Sequence, residues 1–432
     1  MTDDGDSLDR VMNMPEGFIA VVDPYESGSL LAPGFGRLGF GCVMVRSTPE
    51  IPAEYRAGFR AGDFAEVVGF DGDLPKTLRS LERLRVRHVL AGSEWGVNLA
   101  DRLSEALGVP SNGTALTLAR RDKFLMNEAA RACGLRAAEQ CRAGELGELL
   151  GWARRRGRWP VVVKPPRSMS SEGVHLCRDE SGLREAFADV RGRRNKLGLV
   201  NDVVLAQECL GGTEYVVDTV SYEGRHRLAG VWRYGRGARG TSRFGTFKTK
   251  ELLPRAGETQ ERLFAYAARV LDAVGIRYGP GHCELMWDGG EPALVEVGAR
   301  THGGVKAHEL SRAATGTSQV DMTVECYAAP ERFLRAADDP GRVERRAAML
   351  LLTPGRGGRL KGLRHRGEVE RLASFHELHL DARPGERVGR VVGLVSLVHE
   401  DGATVERDLR RVMSLEEDGL YEFEEEECGS DG

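Results

Sequence analysis

Residues 281–304 read GHCELMWDGGEPALVEVGARTHGG, and this stretch narrows the fold more than any other. Apolar-rich runs flank Asp288-Gly289-Gly290-Glu291, a turn signal that predicts a β-hairpin. Centred on Gly290, the hairpin sets Glu284 and Glu296 equally far from the turn and facing each other. A three-residue loop puts the two acids on one face, whereas a two-residue Gly289-Gly290 turn separates them. Like charges directly opposed destabilise a sheet. The flanking strands are too apolar for a solvated acidic face, so the expected resolution is a hard divalent cation, Mg²⁺, shared with substrate phosphates. Arg300, four residues after Glu296, adds a planar donor fork for phosphate oxygens.

The rest of the chain must supply a nucleotide site to match. At 432 residues and 41% hydrophobic content there is material for two to four subdomains with sizeable cores. A net charge of −4 gives no field that would gather nucleic acid or an anionic membrane, so neither is expected as a partner. No apolar run reaches the roughly 18 residues of a membrane span. The eight cysteines are scattered without a CxxC pair, which argues against a zinc ribbon or a disulfide framework. Together with the acidic start MTDDGDSLDR, this predicts a cytoplasmic protein with reduced thiols.

Residues 1–16 read as a disordered lead, and strand–loop–helix alternation in 17–122 predicts an open α/β domain. Its ligand groups should lie at the carboxyl ends of its strands, around VDPYESG and AGSEWG. Its glycines do not match a dinucleotide fingerprint. A helix is expected at 119–134, and the lid region 123–205 goes on with two polar helices, the strand WPVVVKPP and a second strand at 174–177. Residues 206–330 are strand-rich, with a helix at 258–274 before the hairpin. Residues 331–432 are expected to form a C-terminal α+β subdomain with an acidic tail at 422–427.

Lys164 ends a β-rich run that Pro165-Pro166 stops, and the small-residue loop RSMSSEGVH at 167–175 follows. Such a loop is either an ordinary hairpin turn or a wrap for oligophosphate, where backbone N–H groups approach closely because little side chain intervenes. Gln207, Glu208 and Leu210 precede a Gly-Gly turn, with Glu214 after it. That linker is a hairpin with an exposed acid, or it offers backbone groups to a purine edge and a carboxylate to ribose. Asp218 lies on the same strand face and reads as structural. Four arginines among glycines in 233–250 fit a loop near a substrate carboxylate, reached by an arginine or by Lys248 or Lys250, and equally a solvated loop.

Taken in order, Lys123, Lys164 with its loop, Gln207 to Glu214, and Glu284, Glu296 and Arg300 resemble the ATP-grasp superfamily of carboxylate–amine ligases over 17–330. The resemblance implies an ATP-grasp fold of α/β (α+β) class, with a lid at 137–205 closing over the reaction. It implies ATP on Lys123, Lys164 and the Ser168–Gly173 loop, including Ser170 and Ser171. It sets Gln207 at the adenine amino group, Glu208 and Leu210 in backbone contact and Glu214 on the ribose. Mg²⁺, or Mn²⁺ in its stead, would be held by Glu284 and Glu296, and the catalytic pair would be Lys164 and Arg300. Many members carry E-x-N-x-R; here Gly298 replaces the asparagine, which leaves the number of metal ions open. The EVGAR sequence is similar to the L-amino-acid ligase branch rather than to D-alanine–D-alanine ligases.

Glu94, Lys248, His302, Gly303 and Gly304 are the candidates for substrate contact, and Gly304 stands where some relatives carry a bulky aromatic, implying a roomier pocket. The implied reaction joins an amino acid or similar acid to an amine through an acyl phosphate. Carboxylation or amidation of a larger metabolite, and a non-catalytic ATP-binding relative, are the alternatives. Small carboxylate and amine substrates are the expected partners; the oligomeric state, a homodimer included, is left open.

Overall fold

The computed structural model describes residues 17–56, 58–236, 247–336, 344–355, 357–381, 383–389 and 391–424. The expected lead at 1–16 and the arginine–glycine tract from 237 to 246 lie outside the described residues, as does the acidic tail beyond 424.

Four short strands, β1 (Phe18–Val22), β2 (Gly41–Arg46), β3 (Glu66–Gly69) and β4 (Val86–Ala91), form a parallel sheet in the order β3-β2-β1-β4. Both faces are covered, which is why β1 and β2 are near-continuous buried apolar runs. The order reverses between β1 and β4, the switch point at which open α/β sheets place their ligand-bearing loops. These loops approach very closely. A Cβ on Gly28 would lie 2.0 Å from the Gly92 carbonyl oxygen, and one on Gly96 would lie 2.3 Å from that of Val22. No larger residue fits at either position without moving backbone.

The second sheet, ordered β5-β8-β6-β7, is antiparallel and comprises β5 (Gln140–Ala143), β6 (Val161–Lys164), β7 (His175–Cys177) and β8 (Val204–Glu208). Helices Leu146–Arg156 and Glu180–Val190 share one apolar cluster with it through Leu149, Ala153, Leu183 and Val190. The sheet therefore runs past the expected boundary at 205, because β8 lies between β5 and β6.

The remaining strands are β9 (Thr213–Tyr222), β10 (Arg225–Gly235), β11 (Thr249–Leu253), β12 (Gly279–Trp287), β13 (Ala293–Gly298), β14 (Arg346–Leu352), β15 (Gly358–Leu363), β16 (Phe375–Leu380), β17 (Arg387–Val388), β18 (Gly393–His399) and β19 (Tyr421–Phe423). Eight of them make one antiparallel sheet, β13-β12-β9-β10-β11-β14-β18-β16. The C-terminal strands thus extend the sheet that carries the hairpin, a correction to the separate subdomain expected from 331. Only β17-β15-β19 stand apart. Helix Glu258–Val274 covers the central sheet with Leu263, Tyr266, Ala267, Val270, Leu271 and Val274, the i, i+3, i+4, i+7 stripe of an amphipathic helix. The same apolar cluster includes Val22, Val43 and Leu103, so the parallel sheet and the central sheet share one core.

Arg120 joins them through polar contacts. Fully buried, it pairs with Asp101 at 2.9 Å and donates to the carbonyls of Val274 and Gly275, which the end of helix Glu258–Val274 leaves unpaired.

Candidate active site

Helix Lys123–Ala132 begins with Asp122 as its N-cap, accepting from the N–H groups of Phe124 and Leu125. The Lys123 N–H donates to the Pro166 carbonyl at 2.9 Å, which fastens the helix start to the end of β6. Lys123 and Lys164, both 5% exposed, are therefore neighbours. Two buried ammonium groups need compensation. Lys123 Nζ lies 3.0 Å from Glu296 Oε1 and donates to the Ser168 carbonyl at 2.9 Å. Burial and the adjacent Lys123 pull Lys164 down to about 8, against Glu296, Glu284 and Glu214.

The loop after Lys164 takes an unusual path. Ser170 and Ser171 both have φ of 54° and Gly173 has 68°. Two left-handed non-glycine residues cost about 1–3 kcal/mol each, and such strain gathers at ligand clamps.

Glu284 and Glu296 are direct cross-strand partners, as the hairpin symmetry predicts. The route differs from a simple turn. Leu285 pairs with Leu294, so an irregularity next to Glu284 takes up one residue and brings Glu296 opposite Glu284. Burial would raise Glu284, but His282, Arg300 and Lys123 hold it down to about 2. Burial and Glu284 push nearby Glu214 up to about 7, against Arg236 at 3.2 Å. One ionised carboxylate opposite another, with lysine at hand, is a donor set suited to a hard cation and phosphate together.

Arg300 turns to the parallel sheet. Its Nε lies 3.2 Å from Glu94 Oε2, and Glu94 Oε1 takes a hydrogen bond from Arg121. Burial opposes ionisation of Glu94, yet Arg121, Arg300 and Lys123 keep its carboxyl below the usual range. Glu94 thus sits between two arginines, where it can orient Arg300. A Cβ on Gly298 would lie 3.4 Å from both Glu94 Oε2 and the Arg300 guanidinium carbon. A side chain at 298 would start in van der Waals contact with this pair.

Behind the two glutamates runs a buried polar chain. Asp218 accepts from His282 Nδ1 and His302 Nδ1, each at 2.8 Å, and from Trp232 Nε1 at 2.9 Å. His282 Nε2 lies 3.4 Å from Glu284 Oε1. His302 Nε2 meets Lys250 Nζ at 2.9 Å and the Tyr234 hydroxyl at 3.2 Å. Ligand atoms of Asp218, His282 and His302 lie within 4.8 Å of one another. Both imidazoles already spend Nδ1 on the carboxylate, and an ammonium abuts the set, so it is a hydrogen-bonded support and not a metal centre. His302 is buried and holds its neighbours through these hydrogen bonds.

Lys248 Nζ is tied to Glu416, the Leu351 carbonyl and Thr353 of the C-terminal region. Gly303 lies against Glu26, whose Oε2 would be 3.2 Å from a Cβ there, and nothing lies within 4 Å of a Cβ at Gly304. Gln207 donates to Gln140 Oε1 at 2.9 Å, and the Glu208 N–H is used by the Glu139 carbonyl. Leu210 follows in the connector to β9. Glu26 and Arg121 were not singled out from sequence. The phrase VDPYESG marked the loop of Glu26, but its φ of 50° is visible only in three dimensions.

A family model described as "ATP-grasp domain" matches residues 157–309. Dapdiamide A synthase of Enterobacter agglomerans is 33% identical over 349 residues, 78% of this chain and 81% of that protein. A D-alanine–D-alanine ligase of Xanthomonas axonopodis pv. citri (strain 306) is 26% identical over 272 residues, 60% of this chain and 81% of that one. Among solved structures, an L-amino acid ligase from Bacillus licheniformis superposes with a TM-score of 0.74 at 18% identity, covering 95% of this chain and all of that one, a likeness of fold.

Proposed function

This chain belongs to the ATP-grasp family and is an ATP-dependent, Mg²⁺-using carboxylate–amine ligase; on that premise we propose how its residues divide the work and what it makes. Lys123 and Lys164 bind the ATP phosphates, with the 168–173 loop over them. Gln207, Glu208 and Leu210 border the adenine, and Glu214 takes the ribose. Glu284 and Glu296 would hold Mg²⁺, which when bound neutralises phosphate charge. Arg300, aligned by Glu94, receives the phosphoryl group in flight.

The carboxylate oxygen of the acid substrate attacks the γ-phosphorus in line, forming a P–O bond as the bond to ADP breaks. The amine nitrogen then attacks the acyl carbon, the C–O bond to phosphate breaks, and a proton leaves the nitrogen. Phosphoryl transfer asks a protein chiefly for positioning and charge stabilisation. The observation that carries this reading is the cross-strand pair Glu284 and Glu296 with Lys123 Nζ 3.0 Å from Glu296.

The likeness to a dapdiamide synthase and an L-amino acid ligase favours a small amide built from amino acids. The second sheet with its two helices, 137–208, is the segment proposed to close over the acyl phosphate and exclude water. Among the described residues no helix is long and apolar enough to cross a membrane, and a cytoplasmic setting fits the free cysteines. Phosphate release measured across amino acids singly and in pairs tests the function. Release only with two amino acids is expected; release dependent on bicarbonate, or ATP binding without release, would overturn it.

A further inference from the structure

Among the described residues, Lys250 is a buried cation with no ion-pair partner. Its side chain is 8% exposed and lies over the rings of Tyr234 and Phe247, 5.1 and 4.4 Å from their centroids. Its hydrogen bond goes to His302 Nε2 at 2.9 Å. Asp218 engages His302 Nδ1, so that nitrogen carries the proton and Nε2 is a neutral acceptor. Among the described residues no carboxylate forms an ion pair with Lys250, although burial pulls its ammonium down to about 8. An ammonium has three donors, and a buried charge is retained when something of opposite sign completes it.

The missing anion is either a phosphate of ATP or a substrate carboxylate. Lys123 Nζ meets Glu296 and the Ser168 carbonyl, by the loop that follows Lys164, whereas Lys250 Nζ meets His302. Lys250 therefore belongs to the side of the site where residues 302–303 lie, apart from the phosphate lysines. Glu26 stands on that side. It reaches in from the parallel sheet with a left-handed φ of 50°, accepts from the Tyr55 hydroxyl at 3.0 Å and packs on Gly303, the residue after His302. An anion and a cation on the two sides of residues 302–303 are the complement of a zwitterion.

We infer that Lys250 binds the unreacting carboxylate of the amine substrate while Glu26 faces its amino group and takes up a proton from the ammonium, freeing the nitrogen lone pair for attack on the acyl carbon, so that the acceptor is a free amino acid and not a simple amine. This rests on the ligase reading above. The carboxylate that becomes phosphorylated must lie by Lys123 and Lys164, which is why the one at Lys250 is assigned to the acceptor.

The test takes the best acceptor from a panel of the twenty L-amino acids and compares it with its own carboxamide. The wild-type protein should prefer the free acid. Lys250→Met should lower kcat/KM for the free acid about 30-fold more than for the carboxamide, the scale for losing a buried charge partner, and chiefly through KM. Lys250→Arg should recover part of the preference. Glu26→Gln should raise KM for both acceptors. A thermal shift on adding Mg²⁺–ATP verifies that each variant is folded, and Lys250→Gln replaces the methionine variant if that one is not. Unchanged preference in the variant, or a rise in KM for ATP with the acceptor KM unmoved, overturns the inference. No phosphate release by wild type with any pair instead defeats the ligase reading itself.

Discussion

The two ends of this site are held in opposite ways. At the phosphate end Lys123 is compensated by the protein itself, through Glu296 and the Ser168 carbonyl. At the acceptor end Lys250 rests on a neutral imidazole, and charge balance is left to what binds. Arg300 stands between them, drawn to Glu94 on one side and sensing Glu26, Glu296 and Glu284 on the other. A cation already paired is a prepared electrostatic fixture whose value lies in the transition state. A cation left unpaired discriminates, because a ligand lacking the matching anion leaves it buried and alone.

The largest expected effect strikes the shared middle of the site. Arg300→Ala or Glu296→Gln should cut ADP release by about 10³-fold or more with the fold retained, as seen by circular dichroism. Near-normal turnover by either purified variant would break the division. Glu94→Gln should act less strongly, lowering kcat by about 10-fold through a loosened Arg300 with little change in ATP KM; a purely structural Glu94 would lower stability and leave kcat alone.

Next comes pH. Lys164 is depressed to about 8 by burial and Lys123, so it is charged below pH 8 and neutral above it in the free protein. Phosphate binds the charged form, hence ATP Kd should rise by about tenfold for each pH unit past 8, and Lys164→Arg should flatten that rise. Calorimetric titration from pH 7 to 9 measures it; a flat wild-type profile would remove Lys164 from the phosphate end. The smallest effect is expected at Gly304. Its φ of 89° disfavours any side chain although the space is open, so Gly304→Ala should cost about 1 kcal/mol or more of stability in a thermal melt and leave ATP KM unmoved.

The phosphate end was legible in the sequence because its signals are local. A turn with Asp-Gly-Gly, a lysine before two prolines and a small-residue loop each state their geometry within a few residues. Even there, Glu284 and Glu296 meet through a register irregularity that no turn rule specifies. The acceptor end was poorly legible because it is assembled from distant pieces. Glu26 depends on a left-handed backbone, Glu94 on two arginines from different segments, and Lys250 on a histidine fifty-two positions along the chain. Lys248 and Lys250 look alike in sequence, yet one is consumed by Glu416 and the other lies buried beside His302. Alternation along a strand says that neighbours differ in face, not which face meets the substrate. The C-terminal extension of the central sheet was hidden for the same reason: Thr249 pairs with Leu350 across a long intervening chain.

That continuous sheet limits how this enzyme can be rebuilt. β11, which carries Lys250, has β10 on one side and β14 on the other. Excising everything after 330 would strip β11 of a neighbour and leave a row of unpaired backbone groups beside the acceptor end. Chimeras that exchange substrate preference between such ligases should therefore transplant β11 together with β14 and β18 as one block. A cut at the helix–strand junction that sequence alone suggests would divide a single folding surface.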